Sequence, residues 1–261
     1  MTNHKSGAIP HSNNTIPPIQ DEAVGSHPAV GSGSAASSGS ANGHPAGVNL
    51  DASFQSLTAE LKVKYEVRDI LLPSSTLIFI LESPHVQELE FGAPVSGASG
   101  ITMTRHLFGS DYAKFALGRL VKKNADEGKN RPRLNRIGLV NVSNIPLQAS
   151  AYRDKALISR HQEWFDAMSV VRSENQRDVY SNPYCEAVQS ALVCSLRDKL
   201  ARLTDYPLTI VPCGRFAQKF VRLTQVESPN WTVIHEVPHP SYNSWDRARY
   251  RPVIDAVCSA L

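Results

Sequence analysis

Four short aliphatic runs constrain this chain more than any other feature. They are residues 77–81 (LIFIL), 137–142 (IGLVNV), 208–212 (LTIVP) and 232–237 (TVIHEV). Each is too short for an ordinary helix and lacks apolar–polar alternation, the pattern of a strand buried on both faces. Helical periodicity fills the intervals. Val188, Ala191, Leu192, Leu196, Leu200 and Leu203 share one face, as do Ala217, Phe220 and Val221, and Val253, Ile254, Val257 and Leu261. Residues 53–63 predict a leading helix through Phe54, Leu57 and Leu61. Met103, Leu107, Phe108, Tyr112 and Phe115 predict another, interrupted near Gly109. Strands alternating with helices predict an α/β fold: three layers, α/β/α, around a central, mostly parallel four-stranded sheet.

Residues 1–50 are dominated by Gly, Ser, Ala, Asn, Pro and His. Such a stretch buries too little apolar surface to offset its ordering entropy, so it reads as a disordered low-complexity tail before a domain at 51–261. It lacks the basic start and apolar run of a signal peptide, and no run has the length of a membrane span. A cytoplasmic monomer is the expectation. Cys185, Cys194, Cys213 and Cys258 have no metal-finger spacing, so no metal site is expected. The net charge of +3 is uninformative, but its distribution is not. Arg119, Lys122, Lys123, Lys129, Arg131, Arg133 and Arg136 crowd one stretch against Asp126 and Glu127, and Arg247, Arg249 and Arg251 form a second cluster. Both suit phosphate attraction or a solvated surface.

In parallel sheets ligands bind beyond the carboxyl ends of the strands. Here those ends carry Glu82-Ser83-Pro84-His85, Asn141, Cys213-Gly214-Arg215 and Pro238-His239-Pro240-Ser241. A carboxylate, an amide and an imidazole thus converge from distant segments.

At these strand ends the sequence resembles the uracil-DNA glycosylase superfamily. Leu81-Glu82-Ser83-Pro84 is similar to its acidic, proline-containing first motif, and Gly92 to Gly100 (GAPVSGASG) to the segment that follows in the thermophile-type branch. Asn141 matches the asparagine that reads the base edge. Gly214-Arg215-Phe216-Ala217 matches a helix start, and His239-Pro240-Ser241 the final motif. The resemblance covers about residue 70 to the C-terminus.

It implies a DNA glycosylase that flips a pyrimidine and hydrolyses its N-glycosidic bond. Catalysis would fall to His239, donating to the pyrimidine O2, and Glu82, orienting or deprotonating water. A turn-capping histidine and a surface ion pair are the plainer alternatives. His85 is a second candidate base. Asn141, Ser83, His85 and Val95 would contact the base, although a buried Asn can also satisfy loop backbone. Gly97, Gly100, Ser241, Tyr242, Asn243, Trp245, Arg247 and Arg249 would contact DNA, Tyr242 or Trp245 as a wedge filling the gap. Turn glycines need no ligand, and Trp245 fits the core equally well.

Leu81 replaces the motif glycine, Val95 the stacking phenylalanine, and His85 a tyrosine that blocks a C5 methyl group. These departures leave two substrates: cytosine with a C5 hydroxymethyl or glucosyl substituent, as in defence against modified phage genomes, or uracil, as in base-excision repair. A non-catalytic reader of modified DNA is the alternative. Residues 148–183, with Tyr152, Arg153, Trp164 and Phe165, either line the pocket or form an ordinary helical insertion. The thermophile-type branch holds an iron–sulfur cluster with two cysteines before the first motif. No cysteine precedes Cys185 here, so no cluster or other cofactor is expected.

Overall fold

The computed structural model describes residues 49–261; the expectation for the tail falls, except at its last two residues, outside the described residues. Strands β1 (Leu77–Leu81), β2 (Ile137–Asn141), β3 (Leu208–Pro212) and β4 (Trp231–Val233) form one sheet in the order β2-β1-β3-β4. Every neighbouring pair is parallel, with Leu81 opposite Asn141 and Ile80 opposite Pro212.

The aliphatic runs are continuous because both faces of the sheet are covered. Ile78, Ile80, Val140 and Ile210 point to one face. There they meet α1 (Leu50–Tyr65), α7 (Gln162–Ser173), α8 (Pro183–Ala201) and α9 (Gly214–Thr224), through residues such as Leu61, Met168, Leu196 and Phe220. Leu77, Phe79, Leu81, Leu139 and Val211 point to the other. That face is covered by α3 (Ala98–Phe108), α4 (Leu117–Asp126), α5 (Pro132–Asn135) and α10 (Arg251–Ser259). The short α2 (Val86–Phe91) and α6 (Lys155–Arg160) complete the set among the described residues. The result is the expected three-layer α/β/α fold. No helix among the described residues is long and apolar enough to cross a membrane.

This routing opens a crevice. The chain leaving β1 goes to the α3 side, whereas the chain leaving β3 turns into α9 on the opposite face. Loops that part this way separate above the carboxyl ends of adjacent strands, the usual ligand position in such sheets.

Several boundaries differ from the sequence expectation. β4 covers Trp231–Val233 rather than 232–237. Ile234 N still donates to Ile210 O at 3.0 Å, but Glu236 then takes a left-handed φ of 61° and the chain turns away. Val142 falls just past β2. The helix through Met103 stops at Gly109, whose φ of 97° suits glycine, and Tyr112 and Phe115 beyond it are exposed rather than core. The leading helix starts at Leu50, because the Asn49 side chain accepts from Ala52 N and caps it.

The longest helix among the described residues, α8, begins with a similar device. Asn182 accepts from Tyr184 N at 2.9 Å, and Pro183 occupies the first helical position. Asn182→Ala should therefore cost about 1 kcal/mol. Urea unfolding should show a lower midpoint at an unchanged slope.

Candidate active site

The crevice holds a cleft of about 470 Å³. Glu82, Ser83 and His85 reach it from the end of β1, Asn141 from the end of β2, and His239 and Ser241 from the loop after β4. Val95, Gly97 and Ser99 line it from the approach to α3 and its first turn, and Tyr242 stands at its edge. The two proposed catalytic side chains thus open onto one space.

Asn141 occupies the most specific environment. Its side chain is fully buried, and neither its Oδ1 nor its Nδ2 finds a hydrogen-bond partner among the described residues. Burying an unpaired amide costs about 1–3 kcal/mol, so such a group calls for a ligand or ordered water. Its main chain, by contrast, is held by side chains. Asp69 Oδ1 accepts from Asn141 N at 2.9 Å, and Lys199 Nζ donates to Asn141 O at 2.7 Å. Lys199 also donates to Asn144 Oδ1 at 2.6 Å and pairs with Asp69 Oδ2 at 2.8 Å, which uses all three ammonium hydrogens. Asp69 arrives because Ile70 bridges to Leu139 along the outer edge of β2. The network fixes the backbone and leaves the amide to the cleft.

His239 is set up as a donor. Ser241 N donates to His239 Nδ1 at 3.2 Å, which leaves the ring proton of the neutral imidazole on Nε2. Burial holds this imidazole below the ordinary histidine range; the Glu82 carboxylate pulls it up and Arg172 pushes it down. The loop is seated on Gly214, which has a φ of 87° and whose N donates to Val237 O at 2.9 Å. A Cβ at Gly214 would lie 2.8 Å from His239 Cβ, so a side chain there would lift the histidine. Ser99 Oγ and Ser241 Oγ, 2.8 Å apart, tie the loop to α3.

Two groups in the cleft were missed by sequence reasoning. Arg172, on α7, donates through Nε to Glu82 Oε1 at 2.5 Å. Its only sequence signal was a position inside the segment 148–183. None of the four residues expected to line a pocket from that segment does so: Tyr152, Trp164 and Phe165 are buried in the core and Arg153 lies outside the cleft, whose lining takes Gln148 and Arg172 instead. Glu88, on α2, accepts from His85 N at 2.7 Å and from Val95 N, clamping the loop in which Val95 takes a φ of 47°. Burial pushes its carboxyl up to about 7, the two backbone donors oppose that, and Glu82 adds to it.

Two other expectations, for Trp245 and Gly100, need correction. Trp245 is buried and donates through Nε1 to Pro238 O at 2.9 Å, so it belongs to the core and cannot be a wedge. Gly100, in the first turn of α3, is buried against the backbone of Val95 and Leu117, where a Cβ would sit 1.7 Å from Val95 O; it serves packing, not phosphate approach. Arg247 and Arg249 are exposed outside the cleft, the Arg249 guanidinium lying 4.6 Å from the centre of the Tyr250 ring. Asn243 also lies outside the lining, between Tyr242 and Ser244, which belong to it. Tyr242 remains available, 90 % exposed at a φ of 56°. The basic stretch after Arg119 flanks a different groove.

No family model matches this sequence, and no curated protein matches it either.

Lys199→Met should destabilise the fold by about 3–5 kcal/mol, since it strands the buried Asp69 carboxylate. Chemical denaturation measures the loss. Exchanging Lys199 and Asp69 together for apolar residues should recover much of it.

Proposed function

We propose that this protein is a DNA glycosylase, organised like the uracil-DNA glycosylase superfamily, that hydrolyses the N-glycosidic bond of a flipped pyrimidine. One observation carries the reading. A neutral imidazole with its proton on Nε2, a carboxylate and a buried amide without a partner line a single cleft above a parallel sheet.

The chemistry follows from these groups. The Asn141 amide offers a donor and an acceptor, enough to pair with one edge of a pyrimidine. As the bond between the sugar C1′ and the base N1 breaks, its electrons move toward the base O2, where His239 Nε2–H donates. A preorganised donor of this kind contributes about 3 kcal/mol to transition-state stabilisation. Positive charge grows on the sugar, and Glu82 counters it while taking a proton from the attacking water. Arg172 fixes one oxygen of that carboxylate and leaves the other for water. The water oxygen bonds to C1′, and the proton taken by Glu82 passes through solvent to the departing base anion, so that the products are a free base and an abasic sugar.

Flipping the nucleotide costs a few kcal/mol. Tyr242 is suited to offset it, since an exposed ring at the edge of the cleft can stack in the vacated position for about 1–3 kcal/mol.

The cleft volume falls within the range of sites that take drug-sized ligands. Gln87, Gln148 and Arg172 add polar groups beyond the needs of a bare pyrimidine. Both features favour a C5-substituted cytosine, hydroxymethylated or glucosylated, over uracil, and a role against modified phage DNA over base-excision repair.

Oligonucleotides carrying uracil, 5-hydroxymethylcytosine or its glucosylated form test this directly. Hot alkali should cleave at the target after incubation, and mass spectrometry should identify the released base. Binding without any alkali-labile site would instead make the protein a non-catalytic reader.

His239→Asn should lower kcat by about 10²–10³-fold while leaving DNA affinity nearly unchanged. The neutral imidazole is the active form, and its affinity for protons is reduced. The wild-type rate should therefore hold as pH falls through the ordinary histidine range and drop only below it. An acid limb above that range would contradict the assignment.

A further inference from the structure

A second groove, of about 680 Å³, lies between the end of α3, α4 and α5. Tyr112 and Phe115 line it with their rings about half exposed, 52 % and 51 %. Arg119, Lys123, Arg131 and Arg133 surround them. Two of these cations already lie over aromatic faces. The Arg119 guanidinium is 4.0 Å from the centre of the Phe91 ring, and that of Arg133 is 4.9 Å from Phe108. Among the described residues no acidic side chain lines the groove, although Glu127 beside it pairs with Lys123 at 3.8 Å.

We propose that this groove binds a single strand of nucleic acid, its bases stacking on Tyr112 and Phe115 and its phosphates meeting the surrounding Arg and Lys side chains. Charge complementarity selects a polyanion, and the apolar floor narrows the choice. Exposed rings among cations stabilise a flat base joined to a phosphate. A duplex hides its base faces and meets only the charges. The two sites are linked by α3: Gly97 and Ser99 at its start line the catalytic cleft, and Phe108 at its end lines the groove. Eleven residues at 1.5 Å each separate them by about 16 Å.

The groove stands apart from the glycosylase reading, and its test uses a ligand with no base proposed for release. Fluorescence anisotropy with labelled oligothymidine, as a single strand and annealed to oligoadenine, measures binding by the full chain. Phe115→Ala should weaken single-strand binding by roughly 5- to 100-fold and change duplex binding little. Arg131→Gln should reduce the salt slope of log Kobs by about 0.7 for the single strand. Both residues are exposed, and circular dichroism verifies that the variants fold.

Failure of the wild-type protein to bind oligothymidine, or equal binding by Phe115→Ala, overturns the proposal. So does loss of binding to a labelled acidic amphipathic peptide in Phe115→Ala with DNA binding intact, which would assign the groove to a protein partner. Base release by the same variants, measured in parallel on modified duplexes, decides the glycosylase reading separately.

Discussion

Burial on both faces confines the polar side chains of β1 and β2 to the carboxyl ends of these strands. β1 and β2 are buried along their whole length, and helices press on both faces of the sheet. An unpaired polar group in the middle of such a layer would be costly, whereas the carboxyl ends face a crevice between diverging loops. Glu82, Asn141 and His239 therefore meet although they are far apart in sequence. The core sets where chemistry is possible, and the loops determine which chemistry.

Within that frame the base of the cleft is held from below. Lys199 and Asp69 spend their hydrogen-bonding capacity on the backbone around Asn141 and on Asn144. A buried ion pair of this sort adds little net stability, because desolvation consumes most of the Coulomb attraction. Its value lies in definition: the strand end cannot shift, so the unpaired amide is presented in one position. Gly214 does the same for His239 by leaving room for the imidazole loop.

Much of this was legible in the sequence, for reasons that differ by residue. The strands were readable because double-sided burial forces uninterrupted aliphatic runs, and the strand ends then pointed to Glu82, Asn141 and His239. β4 was overread because TVIHEV is strand-like in composition, while a left-handed residue at Glu236 ends the ladder early. Trp245 was ambiguous because an aromatic after a turn suits core or rim, and only its bond to Pro238 O decides. Arg172 and Glu88 left no local signature. Arg172 reaches Glu82 from ninety residues away, and Glu88 looks like any acidic residue in a helix's first turn. Pairings of that kind are products of tertiary packing.

The Arg172–Glu82 contact also ties the cleft to a part of the chain that contributes no strand to the sheet. The same helix packs Met168 and Val171 into the core on one face of the sheet, so covering that face and anchoring the Glu82 carboxylate fall to one element. Packing of the scaffold and arrangement of the cleft thus meet in the helical connection between β2 and β3.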